Sequence, residues 1–251
     1  MKATLVFESG NHRWWVLHDQ DERRVIDSNV YIVESNGHSA LVDPGGFEIF
    51  PQVLSAMAEV VQPSSVSSAF VSHQDPDIAS SLPLWNACNG EIEWHVPTLW
   101  EGFIRHYGAL EAKFAGISDE GGYMLLGGRK LEFIPAHYLH ASANFHLYDA
   151  EAKVYFSGDV GAALLSPGHS IWVGRELADS SKAFEENIEQ SRYFHQRWMP
   201  SNEAKKNWIE RVRQLDIDFL CPQHGAIYTG ENVHRFLNWL DGLTVGSAVS
   251  R

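Results

Sequence analysis

One imidazole and two carboxylates alternate in the run Ser72-His73-Gln74-Asp75-Pro76-Asp77-Ile78, at His73, Asp75 and Asp77. They can converge if the loop that carries them curls around something positive. The plain reading is a polar turn, because Asp and Pro are ordinary turn residues. It loses ground because related groups recur downstream. Ile134-Pro135-Ala136-His137-Tyr138-Leu139-His140, Val154-Tyr155-Phe156-Ser157-Gly158-Asp159 and Phe219-Leu220-Cys221-Pro222-Gln223-His224-Gly225 each run from an apolar stretch into a His or an Asp. All four segments share one grammar: a strand, then a metal-type ligand where the strand ends. Gly158 lets the backbone turn so that the Asp159 carboxylate faces a cleft.

The elements that must position these groups follow from the patterning. Residues 3–8 and 13–18 read as strands about the turn Ser9-Gly10-Asn11. Residues 30–33 and 40–42 form a second pair around Asn36-Gly37, a strong hairpin signal. Residues 47–61 carry apolar side chains at helical spacing. A strand at 69–71 leads into the acidic loop. A short helix around 82–85, a strand at 91–96 and a helix over 98–115 are expected next. Strands follow at 123–126, 130–134, 144–148 and 153–157, with a late one at 217–221. Helices are expected over 183–197, 203–215 and 231–243, the second of them capped at Ser201-Asn202. Residues 160–180 hold no periodicity and read as an ordered loop covering a site. With no repeat or linker, one domain spanning 1–251 is the economical expectation. Strands come first and helices late, as in two packed sheets with helices outside. Periodicity alone does not separate this from an open α/β sheet.

Composition sets bounds on partners. The formal net charge of −13 opposes binding to phosphate backbones, so no nucleic-acid partner is expected. Hydrophobic content of 44% with 20% charged residues is that of a soluble globular chain. Two cysteines, Cys88 and Cys221, show no pairing pattern and suit a reducing compartment. The first ten residues lack the apolar core of a signal peptide. No stretch approaches the ~18 apolar residues of a membrane span. A cytoplasmic location without membrane contact is expected.

The order His-x-acid-x-Asp, then His, then Gly-Asp, then Pro-x-His-Gly resembles the metallo-β-lactamase superfamily. Asp43-Pro44-Gly45 resembles its early Asp-x-Gly loop, where Asp43 is expected to fix the loop rather than bind metal. The resemblance covers roughly residues 25–230. It implies an αββα four-layer sandwich, in the α/β (α+β) class, with a two-metal site at the sheet edge. The superfamily's hydrolases usually show His-x-His-x-Asp-His, whereas this chain has an acid, Asp75, at the second His position. That is similar to the flavodiiron proteins, whose pattern is His-x-Glu-x-Asp-His and which reduce dioxygen or nitric oxide on non-haem iron. The run Leu139-His140-Ala141-Ser142-Ala143-Asn144 also resembles their Leu-His-x-x-x-Ser/Asn segment.

Carried over position by position, the resemblance places His73, Asp75 and His140 on one metal, Asp77 and His224 on the other, and Asp159 as the bridge. There are two departures: Asp75 is shorter than the family's Glu, and Ile78 stands where the last His would be, which opens positions on the second metal or lowers its occupancy. Carboxylates and imidazoles suit iron that cycles between ferrous and ferric, while zinc hydrolases lean on imidazole and keep a hydroxide poised for attack. Two iron ions, oxo- or hydroxo-bridged, are expected in preference to zinc or manganese. His137 and His146 are expected near the site or at the surface, and Cys221 in the core. Tyr193, His195 and Trp198 share a helix that lines the site or simply packs.

Flavodiiron proteins carry FMN on a flavodoxin domain. No Gly-rich phosphate loop occurs here and the chain ends soon after the last motif, so no flavodoxin domain and no FMN are expected. The chain then resembles stand-alone oxygen-binding diiron proteins linked to bacterial chemotaxis. The implied function is dioxygen binding, with nitric oxide as a further candidate ligand. The role would be a sensor with a signalling partner, or a reductase fed by a separate flavoprotein or rubredoxin. Many relatives are dimers, which makes a homodimer a candidate assembly that the sequence leaves open. One alternative is a dinuclear hydrolase of thioesters, lactones or phosphodiesters, which Asp75 and Ile78 oppose. Another is a metal-poor binding module, which Ile78 would favour.

Overall fold

Asn36 and Gly37 both take positive φ, 50° and 82°, as in a type I′ turn, whose twist matches that of two antiparallel strands. In the computed structural model they join β3 (Asn29–Ser35) to β4 (His38–Val42), as predicted. The structure describes residues 1–18, 28–163 and 181–249. The described residues divide into two compact units, 1–18 with 28–134, and 135–163 with 181–249.

In the first unit β1 (Lys2–Ser9), β2 (His12–His18), β3 and β4 form an antiparallel meander. β5 (Val66–Phe70), β6 (Glu93–Pro97) and β7 (Lys113–Ile117) then add in parallel, giving a seven-stranded mixed sheet in sequence order. Parallel neighbours need crossovers. α1 (Phe50–Ala58) connects β4 to β5. The short α2 (Pro76–Ala79) and α3 (Leu82–Cys88) connect β5 to β6, and α4 (Thr98–Ile104) connects β6 to β7. Leu41, Val53, Met57, Ala69, Leu82 and Trp85 belong to the buried core of this unit. The hairpin of β8 (Gly122–Leu126) and β9 (Arg129–Pro135) turns at Gly127-Gly128. A Cβ on Gly127 would lie 2.2 Å from the Ser35 carbonyl oxygen, so only glycine fits there.

The helix expected over 98–115 is shorter. α4 stops at Ile104, one 3-10 turn covers Arg105–Tyr107, and Gly108 at φ 103° ends it. The remainder becomes β7, paired in register with β6 from Glu93↔Lys113 to Pro97↔Ile117. Pairing with an existing strand overrode a local pattern that fitted a helix.

The second unit holds β10 (Phe145–Asp149) antiparallel to β11 (Val154–Phe156), β11 parallel to β12 (Phe219–Cys221), and β12 antiparallel to the two-residue β13 (Tyr228–Thr229). Its helices are α5 (Ser181–Trp198), α6 (Asn202–Val212) and α7 (Glu231–Gly242). The Ser201 hydroxyl accepts the Ala204 N–H at 3.1 Å, the predicted cap. Of the loop predicted over 160–180, residues 164–180 lie outside the described part. Among the described residues no helix is long and apolar enough to cross a membrane.

Lys205 of α6 is buried, and its ammonium donates to the carbonyls of Leu240 at 2.8 Å, Asp241 at 3.0 Å and Leu243. Burial lowers its pKa, yet a cation there satisfies the last carbonyls of α7 and complements its dipole. Lys205→Met keeps the apolar stem and removes those bonds. It should lower stability by about 2 kcal/mol in a denaturant titration; an unchanged midpoint would show that the ammonium contributes nothing.

Candidate metal centre

In the first unit the ligand-type groups follow β5. Asp43, at the end of β4, takes φ 47° and donates its N–H to the Phe70 carbonyl at 2.9 Å. Its carboxylate is wholly buried. Oδ1 accepts the Ser72 N–H at 2.7 Å and Oδ2 accepts the Ser72 hydroxyl at 2.6 Å. That hydroxyl has one proton, already given to Asp43, so at its 2.9 Å contact with His73 Nδ1 it must accept. Nδ1 therefore carries the hydrogen, and Nε2 of the wholly buried His73 carries the lone pair. Asp43 fixes the loop, as the sequence suggested.

His73 Nε2 lies 3.6 Å from Asp75 Oδ2. This is too long for a hydrogen bond and is a spacing that two ligands of one cation can adopt. Asp75 Oδ1 accepts the Gln74 side-chain amide at 3.0 Å, and the Tyr107 hydroxyl donates to the Gln74 carbonyl at 2.7 Å. Burial, then the charges of Asp75 and Asp77, raise the Tyr107 pKa and keep it a donor. Asp77 is half-buried in the first turn of α2. Ile78, where the resemblance has a His, is wholly buried in the apolar core cluster.

In the second unit parallel pairing brings two loops side by side. β11 and β12 are neighbours, so Asp159 and His224 both follow their C-terminal ends. The Ser157 N–H donates to the Cys221 carbonyl at 3.0 Å, Gln223 N–H to Gly158 at 2.8 Å, and Ala163 N–H to His224 at 3.2 Å. Gly158 takes the φ of 51° that its predicted turn required. Gly225 sits at φ 85°, where a Cβ would lie 2.8 Å from that of Ala163. The His140 loop is held by Asn144, whose side-chain amide donates to the Leu139 carbonyl and whose own carbonyl accepts the Ala136 N–H at 2.9 Å.

His140 Nε2 then lies 2.8 Å from Asp159 Oδ2, and His224 Nε2 lies 3.5 Å from Asp159 Oδ1. Asp159 and His224 are buried and His140 nearly so. The edge of the His140 ring meets Trp198 at 5.1 Å and Phe194 at 6.0 Å. His195 is wholly buried on α5. Its Nδ1–H donates to the Ser191 carbonyl at 2.7 Å and its Nε2 accepts the Gly161 N–H at 2.9 Å. Desolvation pushes its pKa down to about 4, which keeps the ring neutral.

These residues pass a test for a metal. Two imidazole nitrogens address the two oxygens of one buried carboxylate, an arrangement that a cation on each side would neutralise. Such mixed nitrogen and oxygen donors suit iron. Within each unit a His and a carboxylate are set as ligands of one cation would be, His73 with Asp75 and His140 with Asp159.

The remaining sequence expectations divide. Cys221 is buried in β12 and unbonded to sulfur, as expected of core packing. His137 packs its ring against Phe145, and His146 is wholly buried beside Tyr155 and Trp208 rather than at the surface. On α5, Tyr193 is exposed and Trp198 half-exposed against His140. Ser72, Tyr107 and the contact from His195 to Gly161 were not read from sequence. Ser72 at least had a signal, a hydroxyl next to a ligand-type His and after a strand.

Comparison with known proteins places the chain. The family described as "ODP family beta lactamase" matches residues 26–225. The chain belongs to that family. The solved apo state of the chemotaxis sensor ODP from T. denticola is 32% identical, with a TM-score of 0.85 over 99% of this chain and 97% of that one. The peroxy diiron species of ODP gives 31% and 0.84 over 99% and 98%. Rubredoxin-oxygen oxidoreductase of Megalodesulfovibrio gigas is 23% identical over 80% of this chain and 49% of its own length. The chain spans about half the length of the curated relatives it matches. The ODP family has the metallo-β-lactamase-like α/β fold of mixed sheets and helices that the motifs implied, and flavodiiron proteins share it.

Two outcomes follow. Ser72→Ala removes the acceptor that fixes the His73 tautomer and should weaken metal binding about 10- to 100-fold in a chelator-competition titration; wild-type affinity would refute the tautomer argument. His195 takes up a proton near pH 6.5 when unfolded and near 4 when folded, so the unfolded state binds more protons between those values. Stability present above about pH 6.5 should be lost as the pH falls toward 4, by up to about 3 kcal/mol. Melts of the metal-free protein across that window should be flatter for His195→Gln than for wild type.

Proposed function

We propose that this protein is a non-haem diiron protein that binds dioxygen, in a sensing role, with His73, Asp75 and His140 holding one iron, Asp77 and His224 the other, and Asp159 bridging. The observation that carries the reading is the near full-length likeness to a sensor whose solved forms include a peroxy diiron species. The donor chemistry supports it. Asp75 supplies a hard anionic ligand where hydrolases have imidazole, and such a ligand favours the ferric state. The same likeness favours this reading over the dinuclear hydrolase.

Two irons would supply the redox equivalents and the open coordination positions that dioxygen needs. The chain's own groups do the rest. The bond from His73 Nδ1 to Ser72 directs the Nε2 lone pair outward. The Gln74 amide takes one oxygen of Asp75 and leaves the other toward His73. Burial of Asp159 and His224 keeps water from competing for the carboxylate. The isoleucine at position 78 in place of an imidazole leaves the second iron with fewer protein ligands.

The reading extends to partners. The chain works in the cytoplasm without FMN of its own, as a homodimer that passes the dioxygen signal to another protein. Any reduction of its iron draws on a separate flavoprotein or rubredoxin, as the name of one relative suggests.

The deciding experiment is metal analysis of anaerobically purified protein, then optical spectra during dioxygen addition. About two irons per chain and a lasting charge-transfer band are expected. Rapid decay of that band with consumption of a donor would make the protein a reductase. Two zincs, or no spectral response, would overturn the dioxygen reading.

A further inference from the structure

Gly161 lies two residues beyond Asp159 and is held at both of its backbone polar groups. Its N–H is accepted by His195 Nε2 at 2.9 Å, and its carbonyl accepts the Tyr228 hydroxyl at 3.3 Å. That hydroxyl in turn accepts the Asn187 amide at 2.6 Å. Asn187, Ser191 and His195 recur every four residues, so they form one face of α5, and all three are buried. The turn is tight in itself: the Ser157 hydroxyl donates to the Val160 carbonyl at 2.6 Å and the Ala162 N–H to the Asp159 carbonyl at 3.1 Å. Gly161 is at φ 98°, and a Cβ there would press on the Tyr228 ring at 3.1 Å.

A buried polar face on a helix is costly unless each group has a partner. Here the partners are carbonyls of the same face, the Tyr228 hydroxyl and one glycine of the ligand turn. The tautomer is forced, because Nδ1 gives its hydrogen to the Ser191 carbonyl and only Nε2 can accept. An apolar side chain of similar size would fill the space yet leave the Gly161 N–H without an acceptor. We infer that His195 is a positioning residue for Asp159, holding the 158–161 turn through the lone pair on Nε2 rather than through bulk, so that the two carboxylate oxygens meet His140 and His224. The inference rests on the metal reading above and concerns only this chain's side of it. Tyr228 and Asn187 are the second arm of the same clamp.

The test is titration of metal-free protein with cobalt(II), followed by the cobalt d–d absorption, which reports the number and arrangement of ligands independently of dioxygen chemistry. His195→Gln can still offer an oxygen to Gly161, whereas His195→Leu cannot. The Leu variant should bind cobalt about 10- to 100-fold more weakly with an altered spectrum, and the Gln variant should recover most of the affinity and the wild-type band shape. Should the Leu variant fail to fold, Tyr228→Phe removes the other arm while keeping the ring, and should shift the same spectrum and weaken binding severalfold. Wild-type affinity and spectrum in the Leu variant, or in Tyr228→Phe if Leu does not fold, would overturn the inference. So would a Gln variant as impaired as Leu. A wild-type protein that takes up no cobalt would instead overturn the metal reading beneath it.

Discussion

A carboxylate buried against two imidazoles is the interaction on which the second unit depends. Asp159 presents one oxygen to His140 at 2.8 Å and the other to His224 at 3.5 Å. An anion in such surroundings is stable only where positive charge or hydrogen bonds compensate it. The surrounding structure serves that placement. Parallel pairing of β11 and β12 aligns two strand ends, Gly158 and Gly225 turn the chain at positive φ, the second where a Cβ would not fit, and Asn144 folds the third loop around its own backbone.

The first unit solves a different part of the same problem, the direction of a lone pair. Asp43 accepts both the N–H and the hydroxyl of Ser72, and this leaves the hydroxyl only an accepting role toward His73. Groups that touch no metal thus decide which imidazole nitrogen is available. His195 follows the same principle on α5, where a neutral ring can accept a backbone N–H only because its other nitrogen is already committed.

Much of this was legible beforehand because it is local. Asn36-Gly37 forms its turn, Ser201 caps its helix and Gly158 turns, all from chemistry within a few residues. The strand β7 was not legible. Lys113–Ile117 carries apolar side chains that continue the spacing of α4, and only the neighbouring β6 supplies the hydrogen bonds that make it a strand. β13 was missed for the same reason, being two residues long and existing only as a partner to β12.

The sequence alone was enough for the kind of chemistry and the order of its parts, because ligand side chains and the turns that expose them are short-range features. The tertiary structure decided which groups meet. Ser72 and Asp43 are 29 residues apart, Gly161 and His195 are 34, and His140 and Asp159 are 19. Those distances close only when strands pair and a helix packs. Tautomers, lone-pair directions and the burial of Ile78 depend on contacts that no local pattern in the chain specifies.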